Sequence, residues 1–215
     1  MAFQSIWYYT DIPEKVVNLL EEDLAEKFEP RMEDSKLHGD ALNKIKRNSQ
    51  NTWIPSDHWI GGFVWSYIQK VNRENFLYDL TCIDGESIQF TRYKEGMFYG
   101  WHTDSGLSTY SNPQNKNWSS GRLNDKNQAN IIATDYINEN IELVRKLSFS
   151  LQLSDPDEYE GGNVQLIDET GATYVAPRKR GTMILFDSRT QHRVLKVESG
   201  VRKSLVGWAV GPRWK

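Results

Sequence analysis

A change of hydrophobic period near Glu86 constrains this chain more than any other feature. Before it, apolar residues recur at helical spacing; after it, they recur every second residue. Val16, Val17, Leu20, Leu24 and Phe28 predict a helix over Ile12–Phe28, with Asp11 as N-cap and Glu14 completing a capping box. Ile60, Phe63, Val64, Tyr67, Ile68 and Val71 form a second stripe, on a helix starting near Ser56-Asp57. One-sided stripes of this kind bury against a core. A short strand at Ile6–Tyr9 precedes both helices. Beyond Glu86, strands are expected at Ser87–Tyr93, Lys146–Leu153, Asn163–Ile167, Gly171–Val175, Thr182–Phe186, His192–Val197 and Val201–Val210, separated by Gly, Pro or Asp turns. Many short strands at regular spacing predict a sandwich or jelly roll. The fold expected is mostly β with flanking α, its sheets braced by the N-terminal helices. The chain is expected to be a single domain over 1–215, with a helical support region over 1–85 and the β core over 86–210.

One strand carries a second message. In Lys146–Leu153, Leu147, Phe149, Leu151 and Leu153 alternate with Ser148, Ser150 and Gln152, so one face is apolar and the other polar. A polar face turned into a β structure implies a polar ligand. The polar stretch from Ser105 to Glu142 interrupts the strand pattern. It is expected to be either a disordered segment or a functional lid, the lid using Tyr110 or Trp118 as contacts.

The near-balance of 26 basic and 29 acidic residues gives a formal charge of −3, which argues against a broad nucleic-acid-binding field. No apolar run approaches the roughly 18 residues needed to span a bilayer. The single cysteine, Cys82, cannot form an internal disulfide. The first residues lack a basic region followed by an apolar one, so no signal peptide and a cytoplasmic location are expected.

The candidate chemistry lies in His102-Thr103-Asp104 and in His192. Residues i and i+2 of a strand point to one side, so His102 and Asp104 can reach a common point. With His192 they would form two imidazoles and one carboxylate, the set that non-haem Fe(II) oxygenases use. His38 and His58 have no such company and are read as structural. Arg202, Ser204 and Trp208 share a face of the last strand, and a buried guanidinium there would grip a carboxylate. Asp155, Asp157 and Glu158 read as a solvated turn before Gly161-Gly162.

The run from Gln89 through Tyr93, Tyr99 and His102 to Asp104 resembles the metal strand pair of prolyl-4-hydroxylase-like 2-oxoglutarate oxygenases. Leu151 to Asn163 with its Gly161-Gly162, Gly181–Ser188 leading into His192-Arg193-Val194, and Gly200-Val201-Arg202 resemble the PKHD-type branch. The resemblance covers about residues 86–210. It implies a double-stranded β-helix. His102, Asp104 and His192 match the iron ligands. Arg202 matches the residue that grips the distal carboxylate of 2-oxoglutarate, and Tyr93 the tyrosine bonded to the same group. Ser204 lies beside them, and Ser148, Ser150 and Gln152 would line the cavity. Tyr99 and Trp208 match aromatic positions near the substrate, and Trp101 is a third candidate contact. The implied set is Fe(II), 2-oxoglutarate and O2, with ascorbate as an accessory reductant. The implied reaction hydroxylates an unactivated C–H bond, that of a prolyl residue in a peptide or protein, releasing succinate and CO2. Two departures bear on the substrate: the stretch after Asp104 is longer than usual, and the C-terminal helical segment of many PKHD-type proteins is expected to be missing.

Other readings differ in their marks. A nucleic-acid demethylase of the same superfamily carries a second Arg six residues past the first, where this chain has Trp208. No nucleic-acid or membrane partner is therefore expected. A small-molecule hydroxylase would share the cofactors. A non-catalytic jelly-roll binding module would leave His102, Asp104, His192 and Arg202 unexplained, and a hydrolytic zinc site favours other donor sets.

Overall fold

A computed structural model describes residues 4–35, 45–55, 57–84, 87–105 and 143–214. In chain order they form β1 (Ile6–Tyr9), α1 (Glu14–Lys27), β2 (Glu33–Asp34), β3 (Arg47–Asn48), β4 (Gln50–Pro55) and α2 (Trp59–Val71). There follow β5 (Cys82–Ile83), β6 (Ser87–Lys94), β7 (Phe98–His102), β8 (Leu143–Gln152), β9 (Tyr159–Gly161) and β10 (Val164–Ile167). The last four are β11 (Thr173–Val175), β12 (Met183–Asp187), β13 (His192–Val194) and β14 (Val197–Pro212). The strands make two antiparallel sheets. The larger runs β1-β12-β8-β14-β6-β4-β2, with β5 and β9 added on β14; the smaller runs β11-β10-β13-β7-β3.

Both helices form where the periodicity places them, and both pack on the larger sheet. Val17, Leu20 and Leu24 of α1 and Ile60, Val64, Ile68 and Val71 of α2 join one core with Ile88, Phe90, Leu147, Phe149, Leu151, Leu185 and Leu205. Strand alternation then turns the other face of β6, β8 and β14 toward the smaller sheet. That face carries Gln89, Thr91, Tyr93, Ser148, Ser150, Gln152, Arg202 and Ser204, all buried. The register locks them side by side: Arg202 opposite Tyr93, Ser204 opposite Gln152, Trp208 opposite Ser148. The apolar face of the larger sheet is thus spent on the helices, and its polar face lines the space between the sheets. A second apolar cluster of Val164, Leu166, Ala176, Ile184 and Phe186 closes part of that space.

Several boundaries differ from expectation. Helix α1 begins at Glu14, capped by Pro13 with no side-chain hydrogen bond, so Asp11 is not its N-cap. Helix α2 begins at Trp59, where the His58 ring accepts from the Ile60 N–H. His58 also contacts Asp23, in keeping with a structural role. The strand expected over His192–Val197 breaks at Val194, and β14 starts at Val197. Strands β2 and β3 have two residues each, too few to show a period, and in β4 one of the two inward positions is the polar Thr52, so the sequence carries no clear strand signal there. The expected lid after Ser105, with Tyr110 and Trp118, and His38 lie outside the described residues. No helix among the described residues is long and apolar enough to cross a membrane.

Candidate metal centre

His102 ends β7, and His192, which opens β13, stands directly opposite it. Asp104 lies two residues beyond the end of β7, so strand alternation does not aim it. Its backbone N–H donates to the Ser188 carbonyl at 2.9 Å, which ties it to the turn between β12 and β13. The result is still convergence. One ligand atom from each of His102, Asp104 and His192 lies within 4.8 Å of the other two. His192 Nε2 is 3.3 Å from Asp104 Oδ2, and His102 Nε2 is 3.7 Å from Asp104 Oδ1.

Surrounding groups fix the orientation of each donor. His102 Nδ1 lies 2.8 Å from the Gly100 carbonyl, and His192 Nδ1 lies 3.0 Å from the Thr190 carbonyl. A carbonyl only accepts, so both Nδ1 atoms carry hydrogen and both Nε2 lone pairs face the common point. Ser148 Oγ donates to Asp104 Oδ2 at 2.8 Å and lies 3.0 Å from Ser188 Oγ. Burial, with His192 beside it, pushes the His102 pKa down to about 4, which leaves its ring neutral and able to donate a lone pair. Burial opposes ionisation of Asp104, but the His192 imidazole outweighs it and holds the carboxyl below its ordinary range. Burial likewise opposes protonation of His192, and Asp104 reverses the balance, so its pKa is raised. Two neutral-capable imidazoles and a carboxylate in this arrangement suit a divalent cation such as iron.

Arg202 sits on the adjoining polar face of β14, 2% exposed. Nη1 reaches Ser204 Oγ at only 3.4 Å, and Nη2 is buried with no hydrogen-bond partner. Its guanidinium carbon lies 5.7 Å from the Tyr93 ring centroid. A buried guanidinium with unmet donors calls for an anion.

Comparison with known proteins agrees with this donor set. Residues 88–210, more than half of the chain, match the 2OG-Fe(II) oxygenase superfamily. The chain belongs to that superfamily. A PKHD-type hydroxylase of Synechococcus elongatus is 36% identical over 162 residues, covering 74% of this chain and 59% of that protein. The chain spans only part of the length of such relatives, 40% in the case of a PKHD-type hydroxylase of Parvibaculum lavamentivorans. In fold it is similar to a Pseudomonas putida prolyl-4-hydroxylase, with TM-score 0.64 and 16% identity over 99% of this chain and 94% of that one. It is also similar to a Trichoplax adhaerens prolyl hydroxylase solved with a hypoxia inducible factor peptide, with TM-score 0.67 and 14% identity over 95% and 83% of the two chains.

Superfamily membership implies Fe(II), 2-oxoglutarate and O2, and the residues present fit them. The triad offers the nitrogen and oxygen donors, and the unpartnered Nη2 of Arg202 offers a seat for a carboxylate. Tyr99 stacks on His102, with ring centroids 3.6 Å apart and planes at 16°. A bulge explains this: three residues of β7 separate His102 from Tyr99 where β13 uses two, which brings Tyr99 onto the face of His102. Burial pushes the Tyr99 phenol up to about 12. Trp208 is 9% exposed, with its indole N–H buried and unpartnered. Trp101 is 41% exposed, with the Arg193 guanidinium 4.5 Å from its ring centroid. Ser150 lies on the polar face, and Gln152 is engaged with Tyr159.

Sequence reasoning missed Arg47, Arg145 and Tyr159. Arg47 lies over the Tyr99 ring at 4.8 Å and donates to Ser49 and Gln89. Arg145 pairs with Asp84 and lies over the Trp208 ring at 3.9 Å. Neither Arg stands near the metal motif in sequence. The available signal was the Arg next to the Ser148 face, which strand alternation alone sets outside the pocket.

Proposed function

We propose that this protein is a hydroxylase that uses Fe(II), 2-oxoglutarate and O2 to oxidise an unactivated C–H bond, that of a prolyl residue in a peptide or protein. One observation carries the reading: three ligand atoms converge, and the adjoining polar face carries a buried guanidinium whose Nη2 has no hydrogen-bond partner. A binding module has no need of that pairing. When bound, the iron and keto acid with O2 supply the oxidant that places one oxygen atom on the substrate carbon, and succinate and CO2 leave.

The chain's own residues set the geometry. His102, Asp104 and His192 would hold the metal on one side and leave the other open. The backbone carbonyls of Gly100 and Thr190 stop the two rings from rotating, and Ser148 holds the carboxylate. Arg202 would fix the far end of the keto acid. The packed helices behind the larger sheet keep water from reaching the polar face from the rear. Tyr99, stacked on His102, and Trp208, opposite Ser148, would meet a pyrrolidine ring along the wall of the centre. The prolyl hydroxylases among its structural neighbours, one of them solved with a peptide, support the peptide class.

Succinate release from 2-oxoglutarate with Fe(II), together with the gain of one oxygen atom by proline-containing peptides in mass spectrometry, tests the proposal. Wild-type protein should show both, and His102→Ala neither. Succinate formation with no oxygen gain in any peptide would remove the peptide substrate. No succinate formation would remove the oxygenase reading.

A further inference from the structure

Two of the three candidate metal donors hang on one short turn, residues 187–190, which joins β12 to β13. The Ser188 carbonyl accepts the Asp104 N–H at 2.9 Å, and the Thr190 carbonyl lies 3.0 Å from His192 Nδ1. Ser188 Oγ also lies 3.0 Å from Ser148 Oγ, the donor to the Asp104 carboxylate. His102 is independent of the turn, because Gly100 of its own strand orients its ring. The placement of Asp104 and His192 therefore depends on what fixes residues 187–190.

Asp187 and Arg189 fix them from within. Asp187 is buried, and its Oδ1 accepts from the Arg189 backbone N–H at 2.8 Å and from Arg189 Nε at 2.9 Å. Its Oδ2 accepts from Arg189 Nη2 and from the Tyr78 hydroxyl, both at 2.6 Å. The Thr190 N–H closes the turn on the Asp187 carbonyl at 2.8 Å. Arg189 thus grips Asp187 in a two-pronged fork and ties the turn to its own first residue. Trp214, beyond β14, packs over this fork. The Arg189 guanidinium carbon lies 4.3 Å from its ring centroid and Lys146 Nζ lies 4.5 Å from it, while the Tyr78 ring meets it edge-on at 4.7 Å. Lys146 is the extra residue of a bulge in β8, passed over by the pairing with β14, and its carbonyl accepts the Ser188 N–H at 3.0 Å. One indole ring therefore touches side chains from both segments that hold Ser188.

Resting on the metal-centre reading above, we propose that Arg189 and Trp214 are positioning residues that set the metal affinity of the centre by holding the 187–190 turn. Arg189 acts through Asp187 on the Ser188 and Thr190 carbonyls, and Trp214 acts through Arg189 and Lys146. The Arg189 side chain is 56% exposed and Trp214 is 40% exposed, so removing either leaves no cavity in the core.

Calorimetric titration with Mn(II) tests this without turnover, with the visible spectrum of bound Co(II) reporting ligand geometry and thermal melting reporting the fold. Arg189→Ala should weaken Mn(II) by about 10-fold, the low end of the loss when groups that orient metal ligands are removed, and should shift the Co(II) spectrum. Arg189→Lys should not restore either, since an ammonium keeps the charge but cannot form the fork. Trp214→Ala should weaken Mn(II) by about 2- to 5-fold, the worth of one exposed cation–π contact, and should add little to Arg189→Ala. Trp214→Phe keeps a ring over the fork and should restore wild-type affinity and spectrum. If melting shows Arg189→Ala unfolded, the two Trp214 variants carry the comparison. Wild-type affinity and spectrum in the alanine variants, even with lowered melting temperatures, overturn the proposal, as does an Arg189→Lys variant that matches wild type. Wild-type protein that binds neither Mn(II) nor Co(II) overturns the metal-centre reading itself.

Discussion

Replacing Arg202 by Met separates what the guanidinium does for the fold from what it does for the ligand. The side chain is 2% exposed, its Nη2 is unpartnered and its one contact to Ser204 is 3.4 Å long. Burial, with the Arg178 charge adding to it, pulls its pKa down, so it is costly to keep charged. Arg202→Met keeps much of the hydrocarbon volume and removes that cost, so the ligand-free variant should melt at or above wild type. With 2-oxoglutarate the order reverses. Removing one partner of a buried charge pair costs about 2–5 kcal/mol, or roughly 30- to 4,000-fold in Kd. At about 100 times the wild-type Kd, the ligand stabilises wild type by about 2.7 kcal/mol. At roughly 2–4 °C per kcal/mol for a chain of this size, the melting shift is about 5–11 °C. In Arg202→Met, the same ligand concentration should raise Tm by no more than about 3 °C. Differential scanning fluorimetry with saturating Mn(II), with and without 2-oxoglutarate, reads both arms. A variant that keeps the full shift would refute the reasoning, as would a ligand-free variant that melts well below wild type.

Three further outcomes follow from the same structure. Ser148→Ala removes the donor that holds Asp104, and Mn(II) titration should show about 10- to 100-fold weaker binding; unchanged affinity would mean that the carboxylate needs no such support. Burial raises the Asp187 pKa, but Arg189 and Tyr78 together bring it below its ordinary value, so it stabilises the fold above the unfolded carboxylate range and loses that contribution as pH falls. Arg189→Ala raises the folded pKa and should move the acid-unfolding midpoint to higher pH, followed by circular dichroism. A Cβ at Gly207 would lie 2.7 and 2.8 Å from Phe149 Cε1 and Cζ, so Gly207→Ala should cost about 1–3 kcal/mol in chemical denaturation.

Much of this architecture can be read along the chain because its periods are clean. The stripe from Ile60 to Val71 buries against the larger sheet as its spacing requires. The alternation of Leu147, Phe149 and Leu151 with Ser148, Ser150 and Gln152 separates the helix-facing side from the ligand-facing side. What the sequence hides depends on local departures from those periods. Asp104 lies past the end of β7, and a backbone hydrogen bond to Ser188 delivers it where alternation cannot. The bulge in β7 brings Tyr99 onto His102, a pairing three residues apart that an ideal strand forbids. Asp11 fails as an N-cap because Pro13 already sets the entry of α1. Tyr159 reads as one aromatic in an acidic turn. Its buried surroundings come from Gln152, Arg178 and Gly162, which meet around it only after folding.

Anomalous diffraction at the iron edge, from crystals grown anaerobically with Fe(II) and 2-oxoglutarate, would test the centre most directly. A single iron peak should appear bonded to His102 Nε2, His192 Nε2 and the Asp104 carboxylate, with the far carboxylate of the acid on Arg202. An iron peak away from these three side chains, or an acid that leaves Arg202 untouched, would contradict the account.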